Sequence, residues 1–588
     1  FRIGLLMLTL SMCQLLHAQN ISVSGIVSAD GEPLVGATVL VQGTTIGTST
    51  DVDGSYSVKA PSDGVLQVSY IGYQPQEVSI AGRSTVDIVL EADNKMLSEV
   101  VVVGYGVQRR EAVTGSVASI GGDEVRDVPS SNVSQALQGR LAGVEISPVS
   151  TKPGASTQIR IRGTRSLTAS NDPLIVLDGI PFAGSISDIN PSDIKSIDIL
   201  KDASATAIYG SRGANGVILI STYKGFKGQD ARISYNSFYG TKTVFSEYPM
   251  MSGPEFVALR QAAGIYTNGV DESDDVNTDW QDLFYRNGTF TNHNLSISGG
   301  SEGGAYNFGL GYNKDQAVVP GQEFERYSLR ASIDQEVGGF LRFGLTTNSN
   351  FSVNDGNNLG LYGLLSSSPI ADPYNPDGTL KRTIQMPLDE QWVYTRETVE
   401  NLGDSWISQT QAFGSYNNLY GELQVPGIQG LKYRLNLGLN FRKSSGGSYT
   451  GEGVFSSNAA TLSTGSISNA LTTNWVIENL VTYDRTFGGK HNLNLTALYS
   501  AQEDRFNSSV VRARDIPADA FQFYNLGHAL GEISVNPDDQ DYRVSGLISY
   551  MGRIMYSYDD RYMLTATLRS DASSRLAEGN KWHTYPAV

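Results

Sequence analysis

The sequence predicts a mainly β protein: a small N-terminal β-sandwich, an α/β domain, then a long series of antiparallel strands of the membrane-spanning kind. Three observations carry this. Residues 21–92 hold short valine- and isoleucine-rich runs parted by turn signatures such as Asp30-Gly31-Glu32-Pro33. Residues 194–222 read as strand, short helix, glycine turn, strand. From residue 228 onward the apolar pattern changes to period two, with aromatics near the ends of the alternating runs.

Composition narrows the function classes. The chain has 588 residues and a formal net charge of −17, which disfavours a phosphate-binding face. Charged residues are 18% of the total, and glycine (63) and tyrosine (30) are plentiful. One cysteine, Cys13, leaves no internal disulfide, and the five histidines show no metal-pair spacing. Neither cofactor nor catalytic constellation is expected: Asp178, Asp193 and Asp198 have no base or metal histidine near them in sequence, and no Gly-x-Ser-x-Gly elbow occurs.

Residues 1–18 read as a secretory signal: Arg2, a mostly apolar run over 3–16, and Ala18 before a polar residue. Cys13 lies inside that run behind Met12, a poor context for a lipid anchor. Residues 21–92 form the sandwich, with six or seven short strands. Asp51 and Asp53 there are read as turn residues, with calcium as the alternative. Residues 93–110 are a linker, polar at Asp93-Asn94-Lys95 and then strongly extended at Glu99, Val100, Val101, Val102 and Val103. Such a run is a core strand or a peptide that adds itself to another protein's sheet edge.

Residues 111–227 make the α/β domain. Residues 134–144 predict an amphipathic helix interrupted at Gly139 and Gly143. Ile159 and Ile161 alternate with Arg160 and Arg162, and 172–181 is an apolar strand between turns. The segment 194–222 closes the domain, with Asp202 capping the helix and Gly210, Gly213 and Gly216 in the return. It is not a nucleotide loop, because the glycines follow the helix and no Gly-Lys-Ser/Thr stands after them.

Residues 228–588 supply about ten to twelve strands of about 9–11 membrane residues each. The clearest alternates Leu431, Tyr433, Leu435, Leu437, Leu439 and Phe441 with Lys432, Arg434, Asn436, Gly438, Asn440 and Arg442. Tyr235, Phe238, Tyr239, Tyr483, Phe487, Tyr499, Tyr550, Tyr556, Tyr558 and Tyr562 suit an aromatic girdle. Long connections are expected over 348–409, 443–472 and 502–541, and a short one over 484–489. Long connections belong outside the cell and short ones on the periplasmic side. The acidic run Asp271-Glu272-Ser273-Asp274-Asp275 reads as a solvated loop or a calcium ligand set.

These pieces, in this order, resemble the SusC-like (RagA-type) TonB-dependent outer-membrane receptors of Bacteroidetes. GIVSADGEPLVGATVLVQGTTIGTSTDVDGSY resembles their carboxypeptidase-regulatory-like domain, EVVVVGYG the segment that holds the TonB box, and IKSIDILKDASATAIYGSRGANGVILIST the end of their plug domain. The resemblance implies an α/β plug inside a transmembrane antiparallel barrel of about 22 strands when complete. On that strand count the chain is expected to be a C-terminally truncated fragment. An open half-barrel would leave unpaired edges in lipid, and residues 19–588 alone are expected to aggregate.

The resemblance further implies active import of a nutrient across the outer membrane, without enzyme activity. The substrate is expected to be an oligosaccharide, with peptide as the alternative; a passive porin or a surface adhesin are the rival readings. Implied partners are TonB with ExbB/ExbD, meeting Glu99, Val100, Val101, Val102 and Val103, a SusD-like surface lipoprotein, and outer-membrane lipid, but no nucleic acid. Arg160 and Arg162 are expected at the plug–barrel interface, or at an acidic ligand. Trp280, Trp406, Tyr374 and Tyr394 suit ligand stacking, but the sequence does not assign them a site.

Overall fold

The computed structural model describes residues 20–588 except 30–31, 35, 45, 52, 71–74, 91–99, 103–106, 110–115, 129, 266, 357–358, 360 and 560. The predicted signal and Cys13 lie outside the described residues, as do Glu99 and Val103. The chain divides into two compact units, the first running to residue 101 and the second containing everything from residue 112.

The first unit is the predicted sandwich. Asn20–Ala29 pairs with Glu32–Pro33, Ser55–Pro61 and, in parallel, Ile88–Val89. The other sheet runs Gly47–Ser49, Thr38–Val41, Val65–Ser69, Gln76–Ser79. Alternate residues Val23, Val27, Val39, Val58, Leu66 and Val68 fill the space between them. Asp51 makes a turn: its carboxylate accepts from the Asp53 and Ser55 backbone N–H groups at 3.1 and 2.9 Å.

In the second unit the α/β domain has a five-stranded sheet. Its order is Val117–Gly121, Ile194–Leu200, Val217–Thr222, Leu174–Leu177, Ile180–Pro181. Ile194, Ile197 and Ile199 are buried, and so are Asp198 and Leu200, so the strand is covered on both faces over its second half. Between the two central strands, helix Ala203–Thr206 runs into the 3-10 turns of Ala207–Gly213, and Asp202 caps it by accepting from the Ala205 N–H at 2.7 Å. The helix expected over 134–144 is shorter, Val133–Leu137, and starts from an Asn132 cap. Gly139 and Gly143 adopt φ of 75° and 76°, which ends the helix, and Val144–Pro148 turns into a strand against Thr157–Ile161.

Thirteen strands form the large antiparallel sheet, twelve of them in sequence order from Arg232–Lys242 to Trp582–Ala587. The thirteenth, Ile533–Ser534, pairs beside the end of His491–Arg514. Among the described residues no ladder joins the first of the twelve to the last. Connections at one rim are short, as at 302–303, 338–340 and 488–490; at the other rim lie 243–287, 356–405, 451–463 and 515–540. The strands run farther than predicted. Leu431–Thr450 and Thr464–Phe487 take up most of the expected 443–472 loop, because Ser, Gly and Asn there pair through the backbone ladder whatever their side chains. A 24-residue strand at about 3.4 Å per residue greatly exceeds an apolar band of about 25 Å.

The two faces differ as the alternation requires. Leu310, Leu329, Leu435, Leu439, Ile554 and Leu568 are exposed on the convex face, whereas Arg330, Asn350, Asn436, Glu478 and Arg569 are buried on the concave one. Tyr235, Tyr239, Tyr499, Tyr550 and Tyr562 are exposed on the convex face. Phe238 corrects the girdle: three residues from Tyr235, it falls on the opposite face and packs against Phe290 at 5.8 Å. A cross-strand row the sequence did not suggest runs His293, Tyr312, Tyr327, Phe351, with ring centroids 6.3, 5.1 and 6.5 Å apart.

The long-loop rim has its own small core. Trp280 and Phe284 of the helix Trp280–Phe284 pack with Leu364, Ile384, Val393 and Val399, and the helix Gly253–Ala262 lies in the same 243–287 connection. Asp271 of the acidic run pairs with Lys381 at 2.9 Å, and Glu272 makes two bonds to Arg260. No helix among the described residues is long and apolar enough to cross a membrane, which says nothing of strands.

Candidate functional site

The α/β domain sits against the concave face of the twelve strands, and the seam is largely polar. Asp188 is held by a capping box begun at Ser185. Its carboxylate accepts from Arg442 Nε at 3.0 Å and from the Tyr416 hydroxyl, while its carbonyl accepts from Asn350 at 2.9 Å. Tyr416 also packs against Phe182, ring centroids 4.3 Å apart and tilted by 49°. Gly184 permits this approach: a Cβ there would lie 2.2 Å from the Tyr416 hydroxyl oxygen.

A second pair lies nearby. Asp193 accepts from Arg330 Nε at 3.2 Å. Arg330 also donates to the Tyr223 carbonyl and to Asn307. Burial pushes the Asp193 carboxyl up, against the pull of the Arg330 guanidinium. Arg326, 1% exposed, donates to the carbonyls of Ser131 and Ser187 at 2.9 and 2.8 Å. Gly311 faces this seam; a Cβ on it would come within 2.4 Å of Asn190 Nδ2, which bonds Asn294 and Ser328.

The segment 194–222 supplies the apolar part. Ile208 and Tyr209 pack with Leu480, Leu498 and Met551 of the strands. Beside them the polarity reverses: the strand carboxylate Asp571 accepts from the Ser211 N–H at 2.9 Å, and Arg569 donates to the Ile208 carbonyl. Charges of both signs are therefore buried at the seam with partners across it, as low-dielectric burial demands.

The expected interface arginines stand elsewhere. Arg160 pairs with Asp172 of its own domain at 2.6 Å, and Arg162 is exposed with φ of 57°. Burial opposes the ionisation of Asp172, yet Arg160 and Ser170 hold its carboxyl below the usual range. Asp188, Arg326, Arg330 and Arg442 were not singled out by sequence. Their one signal was an arginine on the polar face of an alternating strand, and Arg442 stood in that pattern.

Val100–Val102 is a strand paired with Val107–Arg109 in a two-stranded sheet. At the long-loop rim a cavity of about 770 Å³ is lined by Met250, Met251, Phe256, Trp280, Leu364 and Met386 among others. Among the described residues no group of three or more His, Cys, Asp or Glu could hold a metal ion.

Comparison with known proteins agrees with this architecture. Residues 109–217 match the TonB-dependent Receptor Plug Domain and 23–102 the CarboxypepD_reg-like domain. TonB-dependent receptor P26 of Formosa agariphila is 35% identical over 97% of this chain and 58% of its own length. TonB-dependent receptor SusC of Bacteroides thetaiotaomicron is 33% identical over 97% of this chain and 58% of its own. The chain thus spans little more than half the length of these relatives. Among solved structures, the RagAB peptide importer in its open-open state superposes with a TM-score of 0.72 at 24% identity, covering 83% of this chain and 58% of that one.

Proposed function

The chain belongs to the SusC/RagA-type TonB-dependent outer-membrane receptors, a non-catalytic class, and from that membership we propose that the whole protein imports peptides through its barrel using force delivered by TonB. The observation that carries the proposal is the seam between plug and strands. The plug is held chiefly by hydrogen bonds and ion pairs, at Asp188, Asp193, Arg326, Arg330 and Asp571. The net contribution of such a bond to a charged group is about 1.5–3 kcal/mol, well below its strength in isolation, because water replaces it when it breaks. A plug so seated is stable at rest and yields to a pull without exposing a large apolar core. A passive porin or an adhesin has no use for such a part.

Force enters at Glu99, Val100, Val101, Val102 and Val103. The described part of this run, Val100–Val102, is extended in a two-stranded sheet, and a sheet edge is where TonB adds a strand. ExbB/ExbD energise TonB, and a SusD-like lipoprotein delivers substrate at the long-loop rim. Peptide replaces the oligosaccharide expected from the sequence, because the solved importer that this fold matches is a peptide importer. The test is uptake of a labelled peptide mixture by cells expressing the full-length protein, with and without a protonophore. Uptake should stop when the proton-motive force collapses. Continued uptake at the same rate would favour the porin reading.

A further inference from the structure

At the long-loop rim, Phe455 occupies an aromatic cage. Its ring lies parallel to Tyr394 (5.6 Å, 5°), edge-on to Trp406 (4.6 Å, 75°) and tilted to Trp392 (5.5 Å, 60°). Trp392, Tyr394 and Trp406 belong to the 356–405 connection and the strand start that follows it; Phe455 comes from the 451–463 connection. Two features mark it as an uneasy occupant. Its backbone has φ of 54°, and it alone among the described aromatic residues has a positive φ. It stands third in a turn closed by the Ser456 N–H to the Gly453 carbonyl, where glycine or asparagine is the low-strain choice. Moreover, Trp392 is 9% exposed and its indole Nε1 has no hydrogen-bond partner among the described residues. A buried indole N–H normally finds an acceptor, and a phenyl ring offers none.

The cage also reads backbone. Arg382 lies over the Trp392 ring at 5.2 Å and donates to the carbonyls of Gly453 and Ser456, at 2.9 and 2.6 Å. It therefore grips the chain on both sides of the inserted ring. We propose that Phe455 is an internal stand-in, and that the cage formed by Trp392, Tyr394, Trp406 and Arg382 is a binding site for an aromatic side chain of a peptide, vacated when the 451–463 connection swings out. A tyrosyl ring suits it better than a phenyl ring, because its hydroxyl gives the Trp392 N–H an acceptor. The inference deepens the peptide reading above and rests on it for the ring's identity as cargo.

The test needs no TonB, so it stands or falls apart from transport. Full-length protein in detergent is titrated with N-acetyl-tyrosinamide, N-acetyl-phenylalaninamide and maltotriose by ligand-observed NMR. Phe455→Gly removes the competitor and relieves the turn, so tyrosinamide should bind at least about tenfold more tightly than to the unaltered protein, as expected when an internal occupant no longer taxes the competent state. Adding Trp392→Phe should abolish the preference for the tyrosyl over the phenyl probe. If Phe455→Gly fails to assemble, Phe455→Leu, which fills the cage less well, should give a smaller gain. No gain in an assembled variant overturns the proposal. Stronger binding of maltotriose than of either ring overturns the peptide class.

Discussion

At the scale of single residues, the seam rests on a few buried charges with geometric partners. Asp188 accepts from both Arg442 and Tyr416, so Asp188→Asn removes the charge that Arg442 answers. A hydrogen bond to a charged group is worth about 1.5–3 kcal/mol, so the plug should loosen by about that much. In cells carrying the full-length variant, sensitivity to a large hydrophilic antibiotic should rise; unchanged sensitivity would argue that the pair does not hold the plug. Gly311→Leu should act the same way by steric means, pushing Asn190 off the strands. At the rim, burial works against the ionisation of Glu272, but bonds from Arg260 and the Gly269 N–H hold its carboxyl below the usual glutamate range. A lowered folded value means that this stabilisation is present above the unfolded pKa and is lost as pH falls through the folded one. Proteolysis of the 243–287 connection should therefore quicken in acid below the usual glutamate range, and Glu272→Gln should show the fast rate at neutral pH.

At the scale of elements, what the sequence disclosed follows from what each element is made of. Period two needs only a side chain's parity, so the faces of Leu431–Thr450 were readable residue by residue. Where Ser and Gly interrupt the apolar face, parity gives no signal, and nothing in the sequence parts the strand ends at 443–450 and 464–472 from loop. The short helix Val133–Leu137 was overextended because its apolar pattern continues past Gly139, while the backbone there turns to positive φ. Lipid exposure of the convex face has its own test. Leu435 is 41% exposed near the middle of its apolar stretch, and an arginine at the bilayer midplane costs about 2–4 kcal/mol. Leu435→Arg should lower the yield of heat-modifiable barrel in the outer membrane. A soluble sheet would carry that arginine with no loss.

At the scale of the whole molecule, the order sandwich, linker, plug, strands was legible from motifs. The partners across the seam were not. Which arginine of the strands meets which plug carboxylate depends on how the plug sits against them, and residues 254 positions apart, as Asp188 and Arg442 are, leave no local pattern. Arg160 and Arg162 stand in a local alternation that records the two faces of the strand Thr157–Ile161 and stops at Arg162, where φ turns positive. In the proposed mechanism a pull on the linker moves a plug that is otherwise held in place. The most direct measurement is uptake of labelled peptides by cells producing the full-length protein with Glu99, Val100, Val101, Val102 and Val103 deleted. The mechanism requires an unchanged amount of heat-modifiable barrel in the outer membrane and loss of energy-dependent uptake. Uptake at the undeleted rate, with the barrel equally abundant, would contradict it.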